Sequence, residues 1–212
     1  MKLKLYLKKI LDVLRDVKDY LIPVKTITKK FASINSIKQL TDYIQSRSAH
    51  VTQTTLYGYI KTRIGTRYTA MVEDDKFSRS INIAKWNIYM SALSDLTLYA
   101  FSYLIDKKNL SQNDAENVFT SILESEKNNG LNDDLFQKTK FEFQQRTREI
   151  NWKNFHKEKP FSNSSLALYN WSPIAEELKI LDKEIVLNSM KLKWNLVENE
   201  FKDLTKNLAF NS

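Results

Sequence analysis

The sequence predicts an all-α fold, a single-domain bundle of about six or seven helices. Apolar residues recur at spacings of three and four along most of the 212 residues, which is the period of one face of a helix. No run of alternating apolar and polar residues is long enough to predict a strand. The hydrophobic content of 42% is sufficient for one packed core, and the chain length fits a single domain.

The residue types that the chain lacks exclude several kinds of site. It has three glycines and no cysteine. Phosphate-binding loops, dinucleotide-binding turns and nucleophile elbows need glycine, and Gly58, Gly65 and Gly130 match none of their spacings. Disulfides, thiolate zinc sites and cysteine nucleophiles need cysteine, so the sequence fits a cytoplasmic protein. With two histidines and no Glu-x-x-His pair, we predict no catalytic residue, no metal site and no cofactor.

Residues 1–22 predict a basic amphipathic helix. Its apolar positions are Leu3, Leu7, Ile10, Leu14, Val17 and Leu21. Charged residues interrupt them too early for a signal peptide. Pro23 ends the helix, and residues 23–33 are predicted to connect it to a helical body that comprises residues 34–212.

Most of the excess positive charge lies near the N-terminus. The net charge of the chain is +8, and residues 1–30 contribute nine Lys or Arg against three Asp, a net of +6. Basic residues of an amphipathic helix attract anionic headgroups, but Asp12, Asp16 and Asp19 share the polar face. The N-terminal helix is therefore expected to dock either on the body of the protein or on an anionic membrane surface or a partner.

The body predicts helices that begin and end at recognisable capping residues. In chain order these are a helix from Ser33 or Ser36 to Tyr57 or Ile64, a loop over 66–78, a helix over 79–105, a helix from Ser111 to the closing Asn128-Asn129-Gly130, a helix from Asn132 or Asp133 to Ile150, a loop over 160–170, and a helix from Ser172-Pro173 to Asn207.

The last helix carries two apolar stripes and one polar stripe. The first apolar stripe is Ile174, Leu178, Leu181, Ile185, Leu192 and Leu196, and the second is Val186, Met190, Trp194, Val197, Phe201 and Leu204. A helix that is apolar on two faces is expected to be wrapped by neighbours. The polar stripe is Glu177, Glu184, Asn188 and Lys191. It predicts a solvated surface, with a groove for a partner as the alternative.

Asp95 is the most informative single residue, because it lies in the middle of the most apolar helix. A central Asp opposes membrane insertion, so we assign this helix to the core and predict no transmembrane segment. A buried carboxylate must be paired or protonated. We expect a structural pair with Arg63 or Arg67, and a general base or ligand anchor is the alternative.

An arginine-rich polar segment predicts a binding surface. Its candidate residues are His50, Gln53, Tyr57, Lys61, Arg63, Arg67, Tyr68, Arg79 and Trp86. Guanidinium groups bind phosphate and aromatic rings stack on bases, as an RNA-facing surface requires. The consecutive acids Glu73, Asp74 and Asp75 also allow an internal polar network, and the sequence leaves both interpretations open.

Five stretches resemble a family of uncharacterised bacterial all-helical proteins, some of whose members are labelled esterase. They are Val51–Arg67 (VTQTTLYGYIKTRIGTR), Glu73–Phe77 (EDDKF), Ile81–Trp86 (INIAKW), Ser94–Leu96 (SDL) and Ser172–Trp194 (SPIAEELKILDKEIVLNSMKLKW). The resemblance covers most of the chain beyond residues 1–22. It implies that the arginine-rich segment and the last helix are the shared regions. None of these stretches contains a nucleophile motif, so no catalytic residue follows from it.

These observations favour a non-catalytic cytoplasmic interaction module that docks on a protein complex or, as a peripheral protein, on an anionic membrane surface. A hydrolase acting on esters is the alternative that the resemblance implies. An RNA- or ribosome-binding factor is the second alternative and would use Arg47, Lys61, Arg63 and Arg67. The oligomeric state does not follow from the sequence.

Overall fold

The computed structural model describes residues 30–108 and 110–206, where all regular structure is helical. The α-helices are α1 (Ile37–Ile64), the one-turn α2 (Tyr68–Val72), α3 (Asp75–Lys108), α4 (Gln112–Lys127), α5 (Asp133–Glu149), α6 (Ser162–Trp171) and α7 (Glu176–Leu204). The predicted all-α, single-domain bundle is confirmed. The predicted N-terminal helix 1–22, residues 23–29 of the connector and residues 207–212 lie outside the described residues.

Local capping signals in the sequence set several helix ends. The Ser36 side chain accepts a hydrogen bond from the first turn of α1, and Gly65 ends that helix at φ 59°, a left-handed conformation that suits glycine. Ser111 and Asp114 form a reciprocal capping box at the start of α4. The Asn132 side chain caps α5. These boundaries confirm the predictions made from the same residues.

Helix α3 is the centre of the bundle. It packs against α1, α4, α5 and α6, and most of its residues from Ala84 to Leu104 are buried. The stretch Asp75–Ile105 is long and apolar enough to cross a membrane, but 83% of its most apolar window is buried inside the protein. That burial is what the core assignment of this helix requires.

Two segments predicted as loops are partly helical. The loop predicted over 66–78 contains α2 and the start of α3, where the Asp74 carboxylate accepts a hydrogen bond from the Phe77 amide at 2.8 Å. The loop predicted over 160–170 is mostly α6, which buries Ala167 and Leu168 despite its polar composition. The helix start predicted at Ser172-Pro173 is also wrong, since α7 begins at Glu176.

Helix α7 closes the bundle against its first helix. The Tyr43 hydroxyl of α1 donates to the Val197 carbonyl at 2.8 Å. The backbone amide of Ile34, just before α1, donates to the Leu204 carbonyl at 3.2 Å. The chain therefore enters the described body beside the last turn of α7.

Candidate functional site

Within residues 30–108 and 110–206, helix α7 packs on one side only. Its buried face lies against α1 and α6 and consists of Val186, Met190, Trp194, Val197 and Phe201. The Trp194 ring stacks on Phe161 with centroids 4.3 Å apart. The Phe201 ring lies 5.5 Å from that of Tyr43. This face belongs to the second of the two predicted apolar stripes, and its burial agrees with a position in the core.

The other apolar stripe of α7 is exposed, and we call it the α7 stripe. The exposed fractions of its residues are 39% for Leu178, 75% for Leu181, 67% for Ile185, 66% for Leu192 and 66% for Leu196. At 1.5 Å per residue the stripe is about 27 Å long, and its centre lies about 130° around the axis from the buried face. Since the described residues leave it uncovered, the expectation that neighbours wrap both faces of α7 is wrong within that part of the chain.

The predicted polar stripe borders the α7 stripe. Glu177, Glu184, Asn188 and Lys191 are all exposed. Leu178, Ile185 and Leu192 lie seven residues apart, and Leu181 and Asn188 fall three residues after the first two of them. This is the a and d spacing of a coiled-coil seam, with asparagine at two of its three d positions, Asn188 and Asn195. The α7 stripe therefore has the pattern of a surface that packs against another helix.

Two arginines of α1, Arg47 and Arg63, bind carboxylates of α7. The Arg47 guanidinium contacts both Glu200 carboxylate oxygens, at 2.6 Å from Nε and 2.5 Å from Nη2. Arg63 forms a two-point ion pair with Asp182, which also accepts the Tyr59 hydroxyl at 2.9 Å. These arginines join α1 to α7, as the internal-network interpretation of the segment requires.

Of the remaining residues predicted for a binding surface, four share a face of α1 by their spacing, and the other four lie on other elements. Half-buried are His50, Gln53, Tyr57 and Tyr68; exposed are Lys61, Arg67 and Arg79. Trp86 is buried, and the Lys85 ammonium lies 5.0 Å from its ring centroid. Burial, with Lys193 and Arg47, lowers the pKa of His50. The three exposed cations are what this segment still offers to an anionic partner.

Asp95 is fully buried and paired, but with a different arginine from the two predicted. Its carboxylate accepts from Arg146 Nη2 at 2.7 Å and from the Ser164 amide at 2.7 Å. Burial raises the pKa of this carboxyl, while Arg146 and Ser164 act against the rise. The predicted partners Arg63 and Arg67 are wrong, because Arg63 on α1 binds Asp182 of α7 and Arg67 lies exposed in the turn after α1. The buried α5 residues Phe136, Thr139 and Phe143 precede Arg146 at helical spacing, and this spacing could have indicated it.

A cleft of about 440 Å³ lies between α3, α5 and α6, next to the Asp95–Arg146 pair. Asn87, Lys138, Glu142, Arg146 and Trp171 are among the residues that line it. The Arg146 guanidinium is already held by Asp95 and by the Ser94 hydroxyl at 2.5 Å. Neither the residues predicted for a binding surface nor those of the α7 stripe line this cleft.

Sequence reasoning missed one serine–histidine pair, which is the contact that an esterase would need. Ser102 Oγ lies 2.9 Å from His156 Nδ1. The Ser102 hydroxyl also donates to the Trp152 carbonyl at 2.6 Å. Because a hydroxyl carries one proton and a carbonyl can only accept, His156 must donate from Nδ1 in this arrangement. That tautomer cannot take the serine proton through the same nitrogen, as a general base must, and Ser102 is only 1% exposed.

The described residues contain no set of metal ligands that would indicate a cofactor, and no similar protein indicates a family. Among the described residues there is no group of three His, Asp or Glu side chains that could hold a metal ion. No protein-family model, curated protein or solved structure matches the chain. The α7 stripe is therefore the feature with the clearest functional chemistry.

Proposed function

We propose that the protein is a non-catalytic, cytoplasmic interaction module that docks on a protein complex through the α7 stripe. The observation that carries this proposal is the 66–75% exposure of Leu181, Ile185, Leu192 and Leu196 along one line of a helix. Contiguous apolar surface of this kind marks an interaction site in a soluble protein. An anionic membrane surface is the alternative docking partner.

The chemistry of the stripe favours an amphipathic helix as the docked element. Heptad-spaced leucine and isoleucine accept the apolar side chains of a second helix between them. Burial of each such side chain contributes about 1.5–3 kcal/mol when it is complete. Glu184 and Asn188 lie beside the stripe, where they can bind polar or basic residues of the partner and align it.

Two observations weigh against the alternative functions. A hydrolase would need Ser102 and His156, but the serine proton is committed to a backbone carbonyl. An RNA-binding factor would use Arg47, Lys61, Arg63 and Arg67, but Arg47 and Arg63 are each paired with a carboxylate of α7. The esterase function that the resemblance implies and the RNA-binding function remain alternative proposals.

A capture experiment tests the proposal with a matched control on the same helix. The variant Leu192→Asp places a charge in the α7 stripe, and Ile180→Asp places one at a 63% exposed position on another face of α7. We expect proteins captured from the native cell by the unaltered chain to be lost with Leu192→Asp and kept with Ile180→Asp. Circular dichroism checks that both variants stay folded.

The same variants identify the outcomes that contradict the proposal. Equal capture by both variants would exclude the α7 stripe as the docking surface. Flotation of the unaltered chain with phosphatidylserine vesicles, abolished by Leu192→Asp, would replace the protein partner with a membrane. Ester hydrolysis that disappears on Ser102→Ala would overturn the non-catalytic assignment.

A further inference from the structure

We infer that residues 1–22 of the same chain occupy the α7 stripe, running parallel to α7, in the free protein. The inference deepens the proposed function, because a partner helix would have to displace this segment before it docks. The docking surface would then be covered until a partner of sufficient affinity arrives. Four features of the molecule carry this inference: the entry point of the chain, the matched lengths, the reach of the connector and the distribution of charge.

The chain enters the described body at the end of α7 where the stripe finishes. The Phe31 ring packs on Tyr43 with centroids 5.3 Å apart, and the Arg47 guanidinium lies 5.0 Å from the Phe31 centroid. Arg47 in turn binds Glu200 of α7. Arg47 thus links Phe31 to Glu200, which lies four residues after Leu196, the last residue of the stripe.

The apolar positions of residues 1–22 match the stripe in length and period. The run from Leu3 to Leu21 and the run from Leu178 to Leu196 span the same number of residues, about 27 Å each as helices. Leu7, Leu14 and Leu21 are seven apart, as are Leu178, Ile185 and Leu192. Two helices with this repeat pack side by side along their whole apolar faces.

The length of the connector selects the parallel orientation. Residue 22 is nine residues before Phe31, a separation that a fully extended chain covers in at most about 32 Å. In a parallel pair, residue 22 lies near Leu196, about 6 Å along the axis from Glu200. In an antiparallel pair it would lie near Leu178, about 33 Å from Glu200 along the axis alone. The connector reaches the first position easily, whereas it would have to be fully extended to span the second.

Charge favours the same orientation. Residues 1–10 carry four lysines and no acid, and in a parallel pair they face the half of α7 with the exposed Glu176, Glu177 and Glu184. Residues 11–22 carry three aspartates against two basic residues, and they face the half that contains Lys191 and Lys193. An antiparallel pair would place the lysine cluster against Lys191 and Lys193, where like charges repel.

Disulfide trapping in the full-length protein tests the inference directly. The chain contains no cysteine, so every disulfide comes from an introduced pair. The variant with Leu3→Cys and Leu178→Cys is compared with Leu3→Cys and Leu196→Cys, which an antiparallel pair would join. A second variant, Ile10→Cys with Ile185→Cys, is compared with Ile10→Cys and Ile180→Cys, because Ile180 lies on another face of α7.

Each result of the trapping experiment decides the question. We expect the parallel pairs to form a disulfide within one molecule at least about tenfold faster than their controls, because docking raises the local concentration of the two thiols. Equal rates for test and control pairs would overturn the inference, as would a faster Leu3–Leu196 pair. A disulfide formed mainly between two molecules would assign the stripe to a second copy of the chain.

A release variant separates this inference from the proposed function. Ile10→Asp with Leu14→Asp places charges in the apolar run of residues 1–22 and should uncover the stripe. A labelled synthetic peptide of residues 1–22 should bind this variant at least about tenfold more tightly than the unaltered chain, whose own segment competes. Equal binding to both would overturn the inference. If the parallel pairs form disulfides but capture of partner proteins does not depend on the α7 stripe, only the proposed function is contradicted. If capture depends on the stripe but the parallel pairs form disulfides no faster than their controls, only this inference is contradicted.

Discussion

At the residue scale, Asp95 shows how one carboxylate holds three helices together. Its two oxygens bind Arg146 of α5 and the Ser164 amide of α6, while Asp95 itself lies on α3. The Ser164 hydroxyl accepts from the Trp194 indole at 3.0 Å, which adds α7 to the same network. Burial of a charge is costly unless it is paired and hydrogen-bonded, and here both oxygens have partners.

We expect Asp95→Ala to lower the free energy of unfolding by about 3 kcal/mol, the lower end of the range for breaking a buried pair. Arg146 keeps 19% of its side chain exposed, so water can solvate part of the uncompensated guanidinium. Urea unfolding followed by circular dichroism measures the change. The double variant Asp95→Leu with Arg146→Met should lose less than the single change, because it leaves no unpaired charge. An unaltered urea midpoint for Asp95→Ala would contradict the structural role.

At the element scale, the contact between α1 and α7 depends on polar pairs as well as on aromatic packing. Asp182 is only 2% exposed and receives Arg63 and Tyr59 from α1. Met190, Trp194 and Phe201, which follow Asp182 along α7, supply the apolar part of the same face. Loss of either component would loosen α7 along its whole length.

We expect Arg63→Ala to lower the free energy of unfolding by about 3 kcal/mol, because it leaves Asp182 buried without its cation. Arg67→Ala is the matched control on the neighbouring exposed position and should change stability by less than about 0.5 kcal/mol. Chemical denaturation of both variants measures the difference. Similar losses for the two arginines would mean that the Arg63 pair contributes no more than a surface charge.

The sequence predicts local features of this fold better than long-range ones. The caps at Ser36 and Ser111 depend on residues a few positions away, so pattern alone identifies them. Helix α6 was missed because its serine and asparagine content is typical of a loop, whereas tertiary packing of Leu168 keeps it helical. Periodicity indicates which face of a helix turns inward but not which helix lies opposite. For that reason the burial of Asp95 could be predicted, and its partner and the exposed α7 stripe could not.

At the scale of the whole molecule, stability depends on pH through one buried lysine and several buried tyrosines. Burial lowers the pKa of Lys85 from its ordinary 10.5 to about 8, against the opposing effect of Glu126. Burial also raises the pKa of Tyr43, Tyr89 and Tyr99. Between pH 8 and 10.5 the unfolded chain binds more protons at Lys85, so its contribution to stability rises with pH. As the pH rises above 10 the folded chain keeps tyrosine protons that the unfolded chain loses, so stability falls.

We therefore expect the free energy of unfolding to rise from about pH 8 and to fall as tyrosine ionisation begins near about pH 10. Denaturation at a series of pH values, with phenolate absorbance recorded in parallel, measures both limbs. Lys85→Met should remove the rising limb and leave the falling one, because it deletes only the lysine titration. A rising limb that persists in this variant would assign it to another group.

The closure of the bundle by α7 also sets the timing of folding during synthesis. Tyr43 leaves the ribosome 154 residues before its partner Val197, an interval of roughly 10–30 s at ordinary rates of translation. Throughout that time the surface of α1 that α7 later covers has no packing partner from α7. Because Arg47 and Arg63 lie on this surface, water solvates it in the nascent chain. A purely apolar surface would instead expose the growing polypeptide to aggregation until α7 emerged.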